Sequence, residues 1–116
     1  MSGATRLVSL AAYVGAIHRQ PSPHTLADES VERTSWLDQG IEVRQEVAVY
    51  RFADGAVIRR TVEQDSFPSD LACAECWITY EVLAHGDSGS PIHPARQVFE
   101  NACRESFWLA YHTAPA

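Results

Sequence analysis

The sequence predicts an α+β domain, a three- or four-stranded antiparallel meander sheet with an N-terminal and a C-terminal helix packed on one face. Three observations carry that expectation. Apolar residues recur at helical spacing near both ends of the chain, a two-residue alternation fills its middle, and Gly, Asp and Pro signals separate the alternating runs. A length of 116 residues fits one domain spanning 1–116. Folding a chain of that size buries roughly two thirds of its surface, enough for a core of its own.

The first helix is expected over Thr5 to Gln20, where Leu7, Leu10, Val14 and Ile17 share one face. Pro21 and Pro23 end it, because proline supplies no backbone donor and disfavours helix just before itself. Residues 21–30, PSPHTLADES, have the composition of a loop. Val31 to Leu37 follows as a strand candidate, and Asp38-Gln39-Gly40 turns the chain. In the next run Ile41, Val43, Val47 and Val49 alternate with Glu42, Arg44 and Glu46. Asp54-Gly55 then reads as a two-residue type I′ hairpin turn, which sets Val47 opposite Val62 and Phe52 opposite Val57. After a turn over Ser66 to Asp70, Cys76 to Leu83 alternates again, with Cys76, Ile78, Tyr80 and Val82 on one side. His85 to His93 is a loop. The second helix is expected to open at Pro94, with Ala95, Val98, Phe99, Ala102, Cys103, Ser106 and Ala110 as its apolar stripe.

This register turns Val47, Val49, Val62, Ile78 and Val82 toward both helices. It leaves Tyr50, Phe52, Val57, Arg59, Trp77 and Leu83 on the outer face, with Ala48 and Thr61 between them. An exposed patch carrying large aromatics marks an interface, so these six residues are the candidate binding residues. Either a second copy of the chain or another protein is the expected partner. The competing expectation is that residues 21–40, with Leu26, Trp36 and Leu37, fold over the face as a cover.

With 9 basic and 15 acidic residues the formal net charge is −6. Such a balance repels phosphate backbones and anionic membranes, so neither nucleic acid nor membrane is an expected partner. Every basic residue is arginine, which fits the codon usage of a GC-rich genome. Three cysteines make no disulfide framework, and a cytoplasmic location is expected. The alternative is export, if residues 1–16 act as a signal peptide with Val14-Gly15-Ala16 at its cleavage site. Against that, the apolar run keeps helical spacing, and it is shorter than the about 20 residues a membrane span needs.

Two short motifs invite a chemical reading. Gly86 to Pro91 resembles the nucleophile motif of the chymotrypsin-like serine peptidases, with Ser88 between an aspartate and a glycine. That family needs two β-barrels to assemble serine, histidine, aspartate and an oxyanion hole. This chain has room for one sheet, and His85 stands too close to Ser88 along the chain. Cys73-Ala74-Glu75-Cys76 has the spacing of half a zinc site or of a redox dithiol. It runs into strand-like Trp77-Ile78-Thr79-Tyr80 rather than a helix, and Cys103 and His112 fall on different sides of one helix. We therefore expect Cys76 and Cys103 to be core thiols, with no catalytic residue, metal or cofactor. His18 and His24 are expected in solvent, Glu46 and Glu63 face each other across the hairpin, and Arg59 and Arg60 neighbour Tyr50.

The favoured function is a non-catalytic protein-interaction or dimerisation module that uses the outer sheet face. The alternative is a small-molecule, hydrolytic or redox site built from loop 85–93 with Cys73 and Cys76.

Overall fold

The structure, a computed structural model, describes residues 8–65, 76–87 and 90–113. Its elements are β1 (Val8–Ser9), α1 (Leu10–Ile17), β2 (Leu26–Asp38), β3 (Ile41–Phe52), β4 (Ala56–Asp65), β5 (Trp77–His85), β6 (Ile92–His93), β7 (Arg96–Phe99) and α2 (Ala102–Thr113). Strands β2-β3-β4-β5-β7 form one antiparallel sheet in that order, while β1 and β6 pair in parallel as a small second sheet. The predicted α+β class, the meander and the two terminal helices are all present; the main sheet has five strands where three or four were expected, and β1 with β6 form a pair apart from it.

α1 begins at Leu10 because Ser9 caps it, its hydroxyl accepting from the Ala11 N–H at 3.1 Å. Arg19, at φ 63°, ends it in the left-handed region two residues before Pro21. β2 starts well inside the segment expected to be a loop. Its burial explains the difference: Ala27 to Asp38 are exposed throughout, so no buried face imprints a period on the sequence.

The two hairpin turns exchange the roles expected of them. Gln39 and Gly40 both have positive φ, 50° and 81°, and join paired Asp38 and Ile41 as a two-residue turn. The Asp54-Gly55 turn instead has three residues, Ala53 to Gly55, with the Gly55 N–H donating to the Phe52 carbonyl at 3.0 Å. That extra residue shifts the β3–β4 register by one, setting Glu46 opposite Val62 and Arg51 opposite Val57. A one-residue slip turns every side chain of a strand to the other face. Val62, Ile78 and Val82 face the helices as predicted, whereas Val47 and Val49 face away. Ala48, Tyr50 and Phe52 take their place in the core.

Helices α1 and α2 lie side by side on this face. Leu10, Tyr13 and Val14 pack with Ile58, Ile78 and Tyr80, all fully buried. α2 starts later than predicted, since Arg96–Phe99 is strand. Its buried residues are Glu105 and Leu109, while Ala102, Cys103, Ser106 and Ala110 of the expected stripe are exposed. The helix is therefore rotated relative to the sequence expectation.

At one end of the sheet two turns interlock. The Asp87 N–H donates to the Asp54 carbonyl at 2.7 Å, and a Cβ on Gly55, at φ 90°, would stand 2.8 Å from the Asp87 carboxylate. Gly55→Ala should therefore cost about 1–3 kcal/mol from backbone strain alone. Thermal unfolding of that variant checks it; an unchanged midpoint would mean the turn relaxes freely.

Candidate functional site

The face opposite the helices carries no layer of described structure. The strand register sorts its residues into rows: Trp36 pairs with Val43, Val47 with Thr61, Val49 with Arg59, and Val57 with Arg51. From β5, Thr79 extends the Val47 row and Trp77 lies opposite Glu63. Val43, Val47, Val49 and Val57 are half-buried, while Trp36 and Trp77 are 41% and 47% exposed. Arg59 donates to Glu81 across strands at 3.0 Å, and two carboxylates share the face, Glu32 opposite Val47 and Glu63 opposite Trp77. Strand β3 thus has apolar residues on both sides, a pattern that elsewhere marks strands buried on both faces.

Of the six residues expected on this face, Val57, Arg59 and Trp77 lie there. Leu83 sits at a bulge in β5, between Val82 and Ala84, and is 49% exposed. Tyr50 and Phe52 do not belong to it. Both are buried beneath the helices, and Phe52 meets the Tyr13 ring edge-on at 4.9 Å. The one-residue shift at the Asp54 turn is the reason. Trp36, Val43, Val47 and Val49 replace them. Segment 21–40 does not cover the face, because most of it is β2, the edge strand beside β3.

Beneath the helices lies a polar cluster that periodicity did not signal. Arg60 alternates with Ile58 and Val62 on the inner face, so its guanidinium, 17% exposed, needs a buried partner. Glu105 supplies it at 3.1 Å. The Tyr80 hydroxyl donates to Glu105 at 2.6 Å and accepts from Arg60 Nε at 2.9 Å. His18 Nε2 stands 3.0 Å from the same hydroxyl. With its one proton given to Glu105, that hydroxyl can only accept, so His18 Nε2 carries the hydrogen. Burial alone would raise the Glu105 pKa, but hydrogen bonds from His18 and Tyr80 and the Arg60 charge outweigh it and hold the carboxyl at about 2. Burial pushes the Tyr80 phenol upward. A fully buried phenol kept protonated is a structural donor here rather than an acid or base for chemistry.

A second cluster joins α1 to the Asp54 turn. Tyr13 donates to Asp54 at 2.6 Å, and the His24 ring stacks on Tyr13 at 3.6 Å. Burial lowers the His24 pKa despite the neighbouring carboxylate. Neither His18 nor His24 is therefore simply solvated. Glu46 and Glu63 turn to opposite faces, and Arg60 lies over Tyr80, at 5.7 Å, rather than Tyr50.

The loop 85–93 has little chemistry to offer among the described residues. Ser88 and Cys73 lie outside them. His85 Nδ1 accepts from the Ile92 N–H at 2.9 Å, which ties its ring to the backbone. His93 and His112 line a cavity of about 500 Å³ with Ser9, Gln97 and Trp108, but no thiol or carboxylate joins them, and the Ser9 hydroxyl caps α1. No group of three metal-binding side chains occurs among the described residues. Cys76 is a half-buried free thiol at the wall of a larger groove of about 630 Å³, bordered by Arg33, Arg44 and Arg60. Glu46, Glu42 and Glu105 pair with those three arginines in turn. Cys103 is not a core thiol: it is exposed on α2 and disulfide-bonded.

Comparison with protein-family models, curated proteins and solved structures finds no match for this chain. No described helix is long and apolar enough to cross a membrane.

Proposed function

We propose that this chain is a non-catalytic dimerisation module in which two copies pack through their open sheet faces. The observation that supports this most is the row of Val43, Val47, Val49 and Val57 flanked by Trp36 and Trp77 on the side away from the helices. Apolar residues placed there by sequence, on strands already buried on their other side, gain stability only when a second layer covers them. A two-fold contact must be self-complementary, each patch meeting its own copy. In the proposed contact the valines of each copy meet those of the other, Arg59 arrives already paired with Glu81, and Glu32 and Glu63 stay in water at the rim.

Sheet-on-sheet packing brings two such faces about 10 Å apart with their side chains interdigitated. The expected result is a chain that sediments as more than a monomer at micromolar concentration. Trp36→Ser combined with Trp77→Ser should weaken association by at least about 100-fold, since two buried tryptophans per copy are lost, while the helix-side core keeps its thermal midpoint. A wild type that associates with unchanged affinity after both replacements would overturn the face as the contact. A wild type that stays monomeric at several hundred micromolar would overturn dimerisation itself.

A further inference from the structure

Strand β2 forms one edge of the sheet and runs for 13 residues. Long exposed edges invite pairing with another chain, and proteins usually blunt them with proline, bulges or charged side chains. Here the only irregularity lies between Leu26 and Asp28, so Asp28 to Asp38 run in unbroken register. The segment contains no proline, and its charges, Asp28, Glu29, Glu32, Arg33 and Asp38, oppose pairing wherever like signs would meet. Along such an edge alternate residues turn their N–H and C=O groups outward, ready for a further strand.

The charges on this edge select one arrangement of one partner. A two-fold axis perpendicular to the sheet pairs β2 antiparallel with itself and keeps like faces together, so residues can oppose only others of the same alternation. Glu29, Val31 and Arg33 share the helix side, opposite Tyr50, Ala48 and Glu46 of β3. With the axis at Val31, Val31 meets its own copy, and Glu29 and Arg33 of each chain meet Arg33 and Glu29 of the other. No other register of this kind places opposite charges directly across from each other. Moving the axis to Glu32 or Arg33 opposes like charges at the centre, which is destabilising. Arg33 donates to Glu46 through Nε at 3.0 Å, so its terminal nitrogens remain for the incoming carboxylate. Val31, 43% exposed, is the apolar contact at the centre.

We propose that β2 is a self-pairing edge, joining two copies antiparallel about Val31 into a continuous ten-stranded sheet. The pairing does not depend on the face-to-face contact proposed above. Its two-fold axis is perpendicular to the sheet, whereas a face contact has its axis parallel to the sheet. Where two such axes cross, the contacts together close a set of four chains instead of extending into a fibre.

The test uses the full chain in a Cys76→Ser background, which removes the free thiol found among the described residues. Val31→Cys should form an intermolecular disulfide under mild oxidation, because directly opposed residues stand about 4.5–5.5 Å apart. Ser35→Cys should not, since its own copy would lie eight residues, about 26 Å, away. Independently, Arg33→Glu or Glu29→Arg should weaken self-association about tenfold or more by sedimentation, and the double reversal should restore most of it. Failure of Val31→Cys to cross-link, equal cross-linking of Ser35→Cys, or a double reversal no better than the single ones would each overturn edge pairing. If Val31→Cys fails while the paired tryptophan replacements dissociate the wild type, the edge is refuted and the face contact stands. If Val31→Cys cross-links and the tryptophan replacements change nothing, the edge is upheld and the face contact falls.

Discussion

Glu105→Ala should lower the stability of the fold by about 3–5 kcal/mol, the range found when one member of a buried ion pair is removed. The loss comes less from the missing attraction than from what remains. Arg60, with Ile58 and Val62 as its alternating neighbours, keeps its charge but loses the carboxylate bonded to it, and the Tyr80 hydroxyl loses its acceptor. Glu105→Gln retains an acceptor and removes only the charge, so its cost should be smaller, about 1–3 kcal/mol. The difference between wild type and Gln variant should also depend on pH. The folded-state pKa, about 2, lies below the ordinary carboxyl value of 4.5. An acid whose pKa is depressed by folding contributes stability that is complete above the unfolded value and drains as pH falls toward the folded one. Urea unfolding at pH 7 and pH 3 should show the advantage of wild type over Glu105→Gln shrinking at the lower pH. An alanine variant within about 1 kcal/mol of wild type would mean that Arg60 escapes to solvent, and that the cluster does not fix α2 on the sheet.

The parts of this fold legible in the sequence are those in which one face alone is apolar. β4 and β5 alternate between buried Ile58, Ile78 and Tyr80 and polar Arg59, Thr79 and Glu81, and their inward residues follow directly. β3 reads Val47-Ala48-Val49-Tyr50, apolar on both sides, so alternation identifies the strand without saying which side is inward. Turn length then decides, and Asp54-Gly55 serves a three-residue loop as well as a two-residue one. That ambiguity moved Tyr50 and Phe52 to the wrong face while leaving Val57, Arg59 and Trp77 on the right one. β2 is legible only over Val31 to Leu37, for the opposite reason: it buries nothing along nearly its whole length. In α2 the stripe of small residues points outward, because the helix is oriented by a glutamate that answers Arg60 from 45 positions away. A pairing of that separation leaves no local period to read.

The register itself can be tested by two substitutions expected to differ sharply. Ile58 is fully buried between Tyr50 on β3 and Val82 on β5. Ile58→Asp forces a carboxylate into that layer with no cation assigned to it, and should cost at least about 4 kcal/mol or prevent folding. Val49 lies on the other face, half-buried and directly opposite Arg59. An aspartate there remains in contact with water and gains an opposite charge across the strand, worth roughly 0.2–1 kcal/mol, so the stability of the monomer should change by no more than about 1 kcal/mol. Denaturant unfolding should be run at protein concentrations low enough to separate the copies, because association adds to apparent stability. At high concentration Val49→Asp should show its effect by a different route, placing a carboxylate at the centre of the proposed face contact and weakening self-association. If both variants unfold the chain, β3 and β4 pair one residue out of the register described, because such a slip puts Val49 on the same face as Ile58. Tyr50 and Phe52 would then return to the outer face, while Arg60, on β4 between Ile58 and Val62, would stay inward. The two variants therefore bear on the fold and the open face together, since both depend on the additional residue in the Ala53 to Gly55 turn.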